Sequence, residues 1–365
     1  MSVFCPADIL IPKNINEKWP VIACDQFTSS PEYWEETGRI AGDSPSTLHL
    51  VLPEIYLGEQ DRIGLIHGKM DEYLREGLFT EYRDALVLVE RTLPSGRIRR
   101  GIVGKADLSE YPDGMLRATE ATVPDRLPPR IRIRSGAALE LPHAMLFINS
   151  ATAVPACSRG TVIYDLELMQ GGGHVRGTLL TDDEKKTFCS ELVKAGGGAV
   201  LAVGDGNHSL AAAKASGSRY ALCEAVSVYD GAIVFEPIYR VIKNADPGAV
   251  MSLAAQMPGK GKNKIRVFSG DTESCFYTDG LAVSAVDDFI GTCRRHMPDV
   301  SVDYIHGLDD LAALSREPGN VCFSFEGISR DELFPYIEKN GILPKKAFSM
   351  GTAREKRYYI EAMKI

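Results

Sequence analysis

One pentapeptide constrains this chain more than any other: Gly204-Asp205-Gly206-Asn207-His208. It follows a short apolar run, Ala199 to Val203, and precedes an alanine-rich stretch, His208 to Ala215. A buried strand must therefore give way to a helix across a turn that holds two glycines. Glycine permits backbone conformations that other residues avoid and lets a ligand approach closely. The first amides of the following helix have no intrahelical partner, and the helix dipole favours an anion there. His208 and Ser209 fall on the first helical turn, aimed at the same spot, and Asp205 falls at its rim, where it can accept a proton or hold a cation. The structural alternative is a tight turn with Asn207 as N-cap. The segment is neither a Walker A loop nor a G-x-G-x-x-G loop, because no lysine or third glycine stands at the required spacing.

The rest of the chain alternates strand and helix signals, which predicts an α/β or α+β fold of mixed sheets with flanking helices. Lys18 to Asp25 reads as a strand ending on an acid, and Ser30-Pro31-Glu32 as the opening of a helix. Thr47 to Leu52 reads as a strand, and Asp61 to Glu76 as a helix closed by Gly77. Ala85–Thr92 and Ile98–Ala106 form a hairpin around Leu93-Pro94-Ser95-Gly96. Prolines at 124, 128 and 129 keep the charged stretch Glu120–Pro129 from being regular throughout. Further strands are expected at 144–149, 161–168, 174–179 and 221–228. Thr181 and Glu184 make a capping box for a helix ending near Ala195. Glycines and prolines between residues 243 and 262 suggest two domains, 1–243 and 263–365, the second an α+β domain packed on the first, or one compact unit.

Composition removes several function classes. The net charge is -8, which argues against a nucleic-acid partner and against an anionic membrane surface. No stretch approaches the roughly 20 apolar residues of a membrane span, and Met1–Leu10 lacks the pattern of a secretory signal. The eight cysteines are scattered, with no C-x-x-C pair and no zinc spacing. A reduced, cytoplasmic protein is the expectation.

Three other places carry candidate chemistry. Arg97 and Arg99 alternate onto one face of a strand, either a solvated edge or an anion-facing surface. The loop Arg117–Arg126 gathers Glu120, Thr122 and Arg126, and Glu120 has the chemistry of a general base. Asp25 ends an apolar strand, where α/β sheets place ligands, or else caps Thr28.

Taken in order, these segments resemble one family, catalogued as domain of unknown function 1015. The resemblance rests on Ala23-Cys24-Asp25-Gln26, on Glu90-Arg91-Thr92 with Arg99–Gly104, on Glu120-Ala121-Thr122 with Asp125-Arg126, on Gly204–His208, and on Phe235–Arg240. The sequence departs from the family pattern at Asn207 and Tyr239, where histidines are usual, at Thr119, where a histidine is common, and at Ser209, where an arginine is usual. Arg99, Arg126 or Arg240 would then supply the missing guanidinium. More distantly, the turn resembles the phosphate loop of ParB/sulfiredoxin-like proteins, which include free-serine kinases. That resemblance implies a βα phosphate-binding unit in mid-chain and phosphoryl transfer to or from a small hydroxylated metabolite, serine or phosphoserine first. Gly204, Gly206, Asn207, His208, Ser209, Thr122 and Asp25 would hold the substrate and its phosphate. Asp205 or Glu120 would take the hydroxyl proton, Mg²⁺ would bridge Asp205 to the donor, and ATP, ADP or pyrophosphate would be that donor. The competing reading is a regulatory protein that binds a nucleotide or phosphometabolite without turnover. Homodimerisation stays open.

Overall fold

Eight strands between residues 85 and 228, with Phe4–Cys5, pair into a mixed nine-stranded sheet among the described residues. In chain order its strands are β1 (Phe4–Cys5), β2 (Val87–Thr92), β3 (Ile98–Asp107), β4 (Leu116–Arg117), β5 (Met145–Ile148), β6 (Val162–Leu168), β7 (Gly173–Leu179), β8 (Leu201–Asp205) and β9 (Tyr220–Ser227). They lie in the order β6-β7-β2-β3-β9-β5-β8-β4, with β1 also alongside β3. The pairs β9–β5 and β8–β4 are parallel; β8–β5 and β9–β3 are antiparallel. The computed structural model describes residues 2–59, 61–194 and 200–365. The start of the expected strand at Ala199 and the expected helix end near Ala195 lie outside them.

Strand alternation decides what each face of the sheet buries. On β2, Leu88 and the preceding Leu86 pack with Phe188 and Leu192 of helix α4 (Asp182–Lys194) and with Leu210 and Ala213 of helix α5 (Asn207–Ala215). Val87 and Val89 face the other way, toward Trp19, Trp34, Ile66 and Met70. These last come from the N-terminal segment, from α1 (Pro31–Ala41) and from α2 (Asp61–Arg75). Each such side chain contributes about 1.5–3 kcal/mol when fully buried, so helices on both faces follow from the alternation. The capping box of α4 is present: Thr181 N donates to Glu184 Oε2 at 2.9 Å and Glu184 N donates to Thr181 Oγ1 at 3.4 Å.

The chain divides into two units. The first comprises Met1–Ile233, Ile337–Ile342 and Thr352–Ile365, and the second Val234–Tyr336 and Leu343–Gly351. The division therefore falls ahead of the glycines and prolines at 243–262. Phe235–Lys243, expected at the end of the first domain, is the strand of the second unit that pairs with Ser301–His306, Val321–Phe325 and Phe348–Met350. Phe276 packs tilted against Phe289, and Phe289 meets Phe323 edge to face, in that unit's core.

Two local expectations differ from the structure. Thr47–Leu50 is a 3-10 turn, not a strand. Its hydroxyls are the reason: Ser46 Oγ accepts from Leu48 N at 3.3 Å, and Thr47 Oγ1 donates to Trp19 O at 2.9 Å while accepting from Val21 N. A pair of strands not expected from the sequence, Ala7–Pro12 and Phe79–Ala85, makes a separate antiparallel ribbon. The strand expected over 18–25 shortens to Val21–Ile22, which pairs with Tyr358–Tyr359.

That last pairing returns the segment 352–365 to the first unit. Met363–Lys364 pairs with Leu139–Glu140, and Leu10 and Ala362 exchange two backbone bonds of 2.8 and 3.0 Å. A buried ionic network receives the segment. Arg357 bonds Glu224 on β9 and also Glu361 at 2.5 Å, and Tyr164 on β6 donates to Glu361. Arg91 and Arg99 sit directly opposite on β2 and β3. Arg91 Nη2 reaches Arg354 O at 3.1 Å, and Arg99 Nη1 reaches Glu355 O at 2.7 Å.

Candidate functional site

The turn after β8 takes the form the glycines require. Gly206 has φ of 90°, a left-handed conformation, and α5 starts at Asn207. A Cβ at position 206 would lie 2.8 Å from Ala144 Cα and 3.3 Å from the His143 ring. Gly206, not Asn207, occupies the N-cap position. Asn207 does different work. Its Nδ2 donates to Thr119 Oγ1 at 3.1 Å and its Oδ1 accepts from Thr119 N at 3.3 Å. Thr119 Oγ1 in turn donates to Val203 O at 2.7 Å. His208 Nε2 accepts from Val123 N at 3.0 Å, which fixes the neutral tautomer with its proton on Nδ1. The loop carrying Glu120 and Thr122 is thus pinned on both sides to the first turn of α5. Both residues are half-buried there.

Asp205 closes on this turn. Its Oδ1 accepts the Gly206 amide at 2.9 Å, and its Oδ2 lies 3.1 Å from Lys356 Nζ. Against Gly206 stands a second pair: His143 Nε2 lies 3.7 Å from Asp25 Oδ2. Burial pulls the His143 imidazole down, but Tyr359 and the Asp25 carboxylate outweigh it and hold the ring well above its usual value. Burial would raise Asp25, yet the His143 charge and hydrogen bond, helped by Gln26 and Lys356, keep its carboxyl far below the usual carboxylate range. The strand-to-helix junction therefore gathers two cations, Lys356 and His143, and two carboxylates, Asp205 and Asp25.

The remaining expected residues lie elsewhere. Ser209 is on the first turn of α5, and Gly204 packs against the Phe147 ring, where a Cβ would come within 2.7 Å. Arg126 is exposed on the short turn Pro124–Arg126 that leads into helix α3 (Leu127–Arg134). Arg99 is 3% exposed and bonds the Glu355 carbonyl rather than an outward-facing anion surface. Arg240 belongs to the second unit, where its buried guanidinium takes Asp287 at 3.0 Å and the carbonyls of Ile238, Lys345 and Lys346. Arg99 is committed to Glu355 and Glu224 in the interior of the first unit. Lys356 is the cation the structure supplies at the turn. Both Asp205 oxygens are engaged, by the Gly206 amide and by Lys356, and no group of three potential metal ligands occurs among the described residues.

Lys356, His143, Tyr359 and Cys24 escaped the sequence reading. The one local signal was the charged run Arg354-Glu355-Lys356-Arg357 leading straight into Tyr358-Tyr359-Ile360.

Fold and site together define a mixed α/β protein with a charged βα turn at the end of a central strand. The chain belongs to the family described as Protein of unknown function (DUF1015), whose model matches residues 9–361. No curated protein matches the sequence. Among solved structures, SbnI from Staphylococcus aureus, truncated at its C-terminus, is 12% identical with a TM-score of 0.42, covering 68% of this chain and 82% of that one. A free serine kinase in complex with AMP is 10% identical with a TM-score of 0.43, covering 70% and 90%. A conserved hypothetical protein from Pyrococcus furiosus is 12% identical with a TM-score of 0.39, covering 72% and 94%. No helix among the described residues is long and apolar enough to cross a membrane.

Proposed function

We propose that this protein binds a small phosphorylated metabolite at the first turn of α5 and transfers its phosphoryl group to or from a hydroxyl compound. The observation that carries the reading is the meeting of Lys356 and the His143 imidazolium at the Asp205–Gly206 junction. An arriving phosphate competes with Asp205 for Lys356 and takes the first amides of α5. The Asp205 carboxylate so released accepts the hydroxyl proton as the new P–O bond forms and the donor's P–O bond breaks, the donor oxygen leaving with the bonding electron pair. Phosphoryl transfer asks mainly for such positioning and charge neutralisation. Glu120 and Thr122, held over the same turn by Thr119 and Val123, are placed to orient the hydroxyl partner.

The test is phosphorus NMR of the purified protein with L-serine and ATP, ADP or pyrophosphate, and with O-phosphoserine alone. Asp205→Asn removes the proton acceptor, and a general base contributes about 10²–10⁴-fold. Transfer is expected to fall by at least about 100-fold in that variant while the melting temperature stays nearly unchanged. No phosphate movement with any of these compounds removes the serine assignment. A second reading, binding without turnover, is favoured by the Asp205–Lys356 pair itself, because a carboxylate already paired must be displaced before it acts. Stabilisation by a nucleotide or phosphometabolite with no product supports that reading.

A further inference from the structure

A cavity of about 150 Å³ in the first unit has a thiol on its wall. Its lining includes Cys24 together with Leu50, Leu52, Met70, Leu139 and Leu141. Behind the sulfur runs a directed chain of hydrogen bonds. The Tyr359 hydroxyl donates to Cys24 Sγ at 3.2 Å and accepts from the Cys24 amide at 3.2 Å. His143 Nδ1 donates to the same hydroxyl at 2.6 Å, and His143 Nε2 faces Asp25 at 3.7 Å. Burial raises Tyr359 far above its usual value, so its hydroxyl stays a donor. Both ring nitrogens of His143 carry protons in this arrangement, and the positive end of the chain points at sulfur. The Tyr359 hydroxyl thus rests on the sulfur, and cavities of about this size accept ligands the size of benzene.

We propose that Cys24 is a nucleophilic thiol that takes small apolar electrophiles from this cavity, with Tyr359 and His143 as positioning residues. With an activated alkene the sulfur–carbon bond forms at the β-carbon and the carbon–carbon π bond opens toward the carbonyl. The proton leaving sulfur ends on the α-carbon, and neither partner is oxidised or reduced. This assignment does not depend on the phosphate chemistry proposed above, and its readout is a covalent adduct.

Peptide mass spectrometry resolves the labelling rates of the eight cysteines in the whole protein. Cys157, which is exposed, serves as the internal reference. N-Benzylmaleimide at neutral pH is expected to modify Cys24 at least tenfold faster than Cys157. The rate ratio of Cys24 to Cys157 should fall with N-(2-hydroxyethyl)maleimide, which lacks the apolar body. Tyr359→Phe should slow Cys24 about tenfold and leave Cys157 unchanged, while continued protection of the buried Cys223, Cys293 and Cys322 shows that the variant is folded. Labelling of Cys24 slower than Cys157 overturns the proposal. An equal ratio for the two maleimides removes the cavity from it, and an unchanged rate in Tyr359→Phe removes the relay.

Discussion

Glu224→Gln tests the ionic network that anchors the segment 352–365. Glu224 is 1% exposed and is bonded by Arg357, whose side chain is equally enclosed. Its other oxygen lies 3.9 Å from Arg99 Nε. At an effective dielectric of about 20, one such pair at 3.9 Å is worth roughly 4 kcal/mol. Arg357 keeps Glu361 as a partner, and Arg99 keeps the Glu355 carbonyl at 2.7 Å. Glutamine preserves the volume, so no cavity term enters. Removing one member of a buried ionic set costs about 3–5 kcal/mol, because the charges left behind stay out of water. For a unit of this size that corresponds to a fall in Tm of roughly 6–20 °C. The assay is intrinsic fluorescence, because both tryptophans, Trp19 and Trp34, lie in the first unit and report its unfolding alone. Glu36→Gln, which breaks the exposed Arg39–Glu36 pair on α1, is the control and should leave the transition in place. A fall below about 2 °C for Glu224→Gln would refute the reasoning, since the guanidinium groups would then be finding water or new partners.

Two other perturbations follow from the turn and its neighbours. Gly206→Ala should lower stability by about 2–4 kcal/mol, combining left-handed strain of about 1–2 kcal/mol with the clash at Ala144. An unchanged fluorescence midpoint would show that the turn adopts another conformation. The Asp25–His143 pair has a defined pH signature. His143 is raised on folding, so its contribution is complete below its unfolded value of about 6.5 and fades as pH climbs through the folded value. Asp25 is depressed, so its contribution is present above about 3.9 and fades as pH falls. The midpoint difference between wild type and His143→Gln should therefore be largest between about pH 4 and 6.5 and shrink toward pH 9. A difference that grows with pH in thermal scans would overturn the pairing.

What the sequence revealed and what it hid divide along sequence separation. The turn at 204–208, the hairpin of β2 and β3 and the capping box of α4 were legible because each is written within a few residues. Alternation on β3 correctly set Arg99 apart from its neighbours, but not which way it faced. The face depends on Glu224 and Glu355, more than 100 residues away in sequence. The site hid for the same reason. Asp25, His143, Asp205 and Lys356 come from four separated segments, and no local pattern marks a lysine that will meet a carboxylate 151 residues earlier. Thr47–Leu50 misled because threonine and leucine suit a strand, while the deciding bonds run from hydroxyls to Trp19 and Val21.

The return of segment 352–365 to the first unit has a consequence during synthesis. Arg357 is translated more than 120 residues after Ile233, so at typical elongation rates roughly ten seconds pass before it exists. Through that interval Glu224 and Arg99 have already been made, and the cation that bonds Glu224 directly has not. Until then Glu224 has Arg99 at 3.9 Å as its cation and water in the place that Arg357 will take. The full charge balance between β3 and β9 is therefore reached only after Arg357 is made, and Lys356 and Tyr359 are made in the same second. The charge balance of this core is thus completed by one short stretch of message.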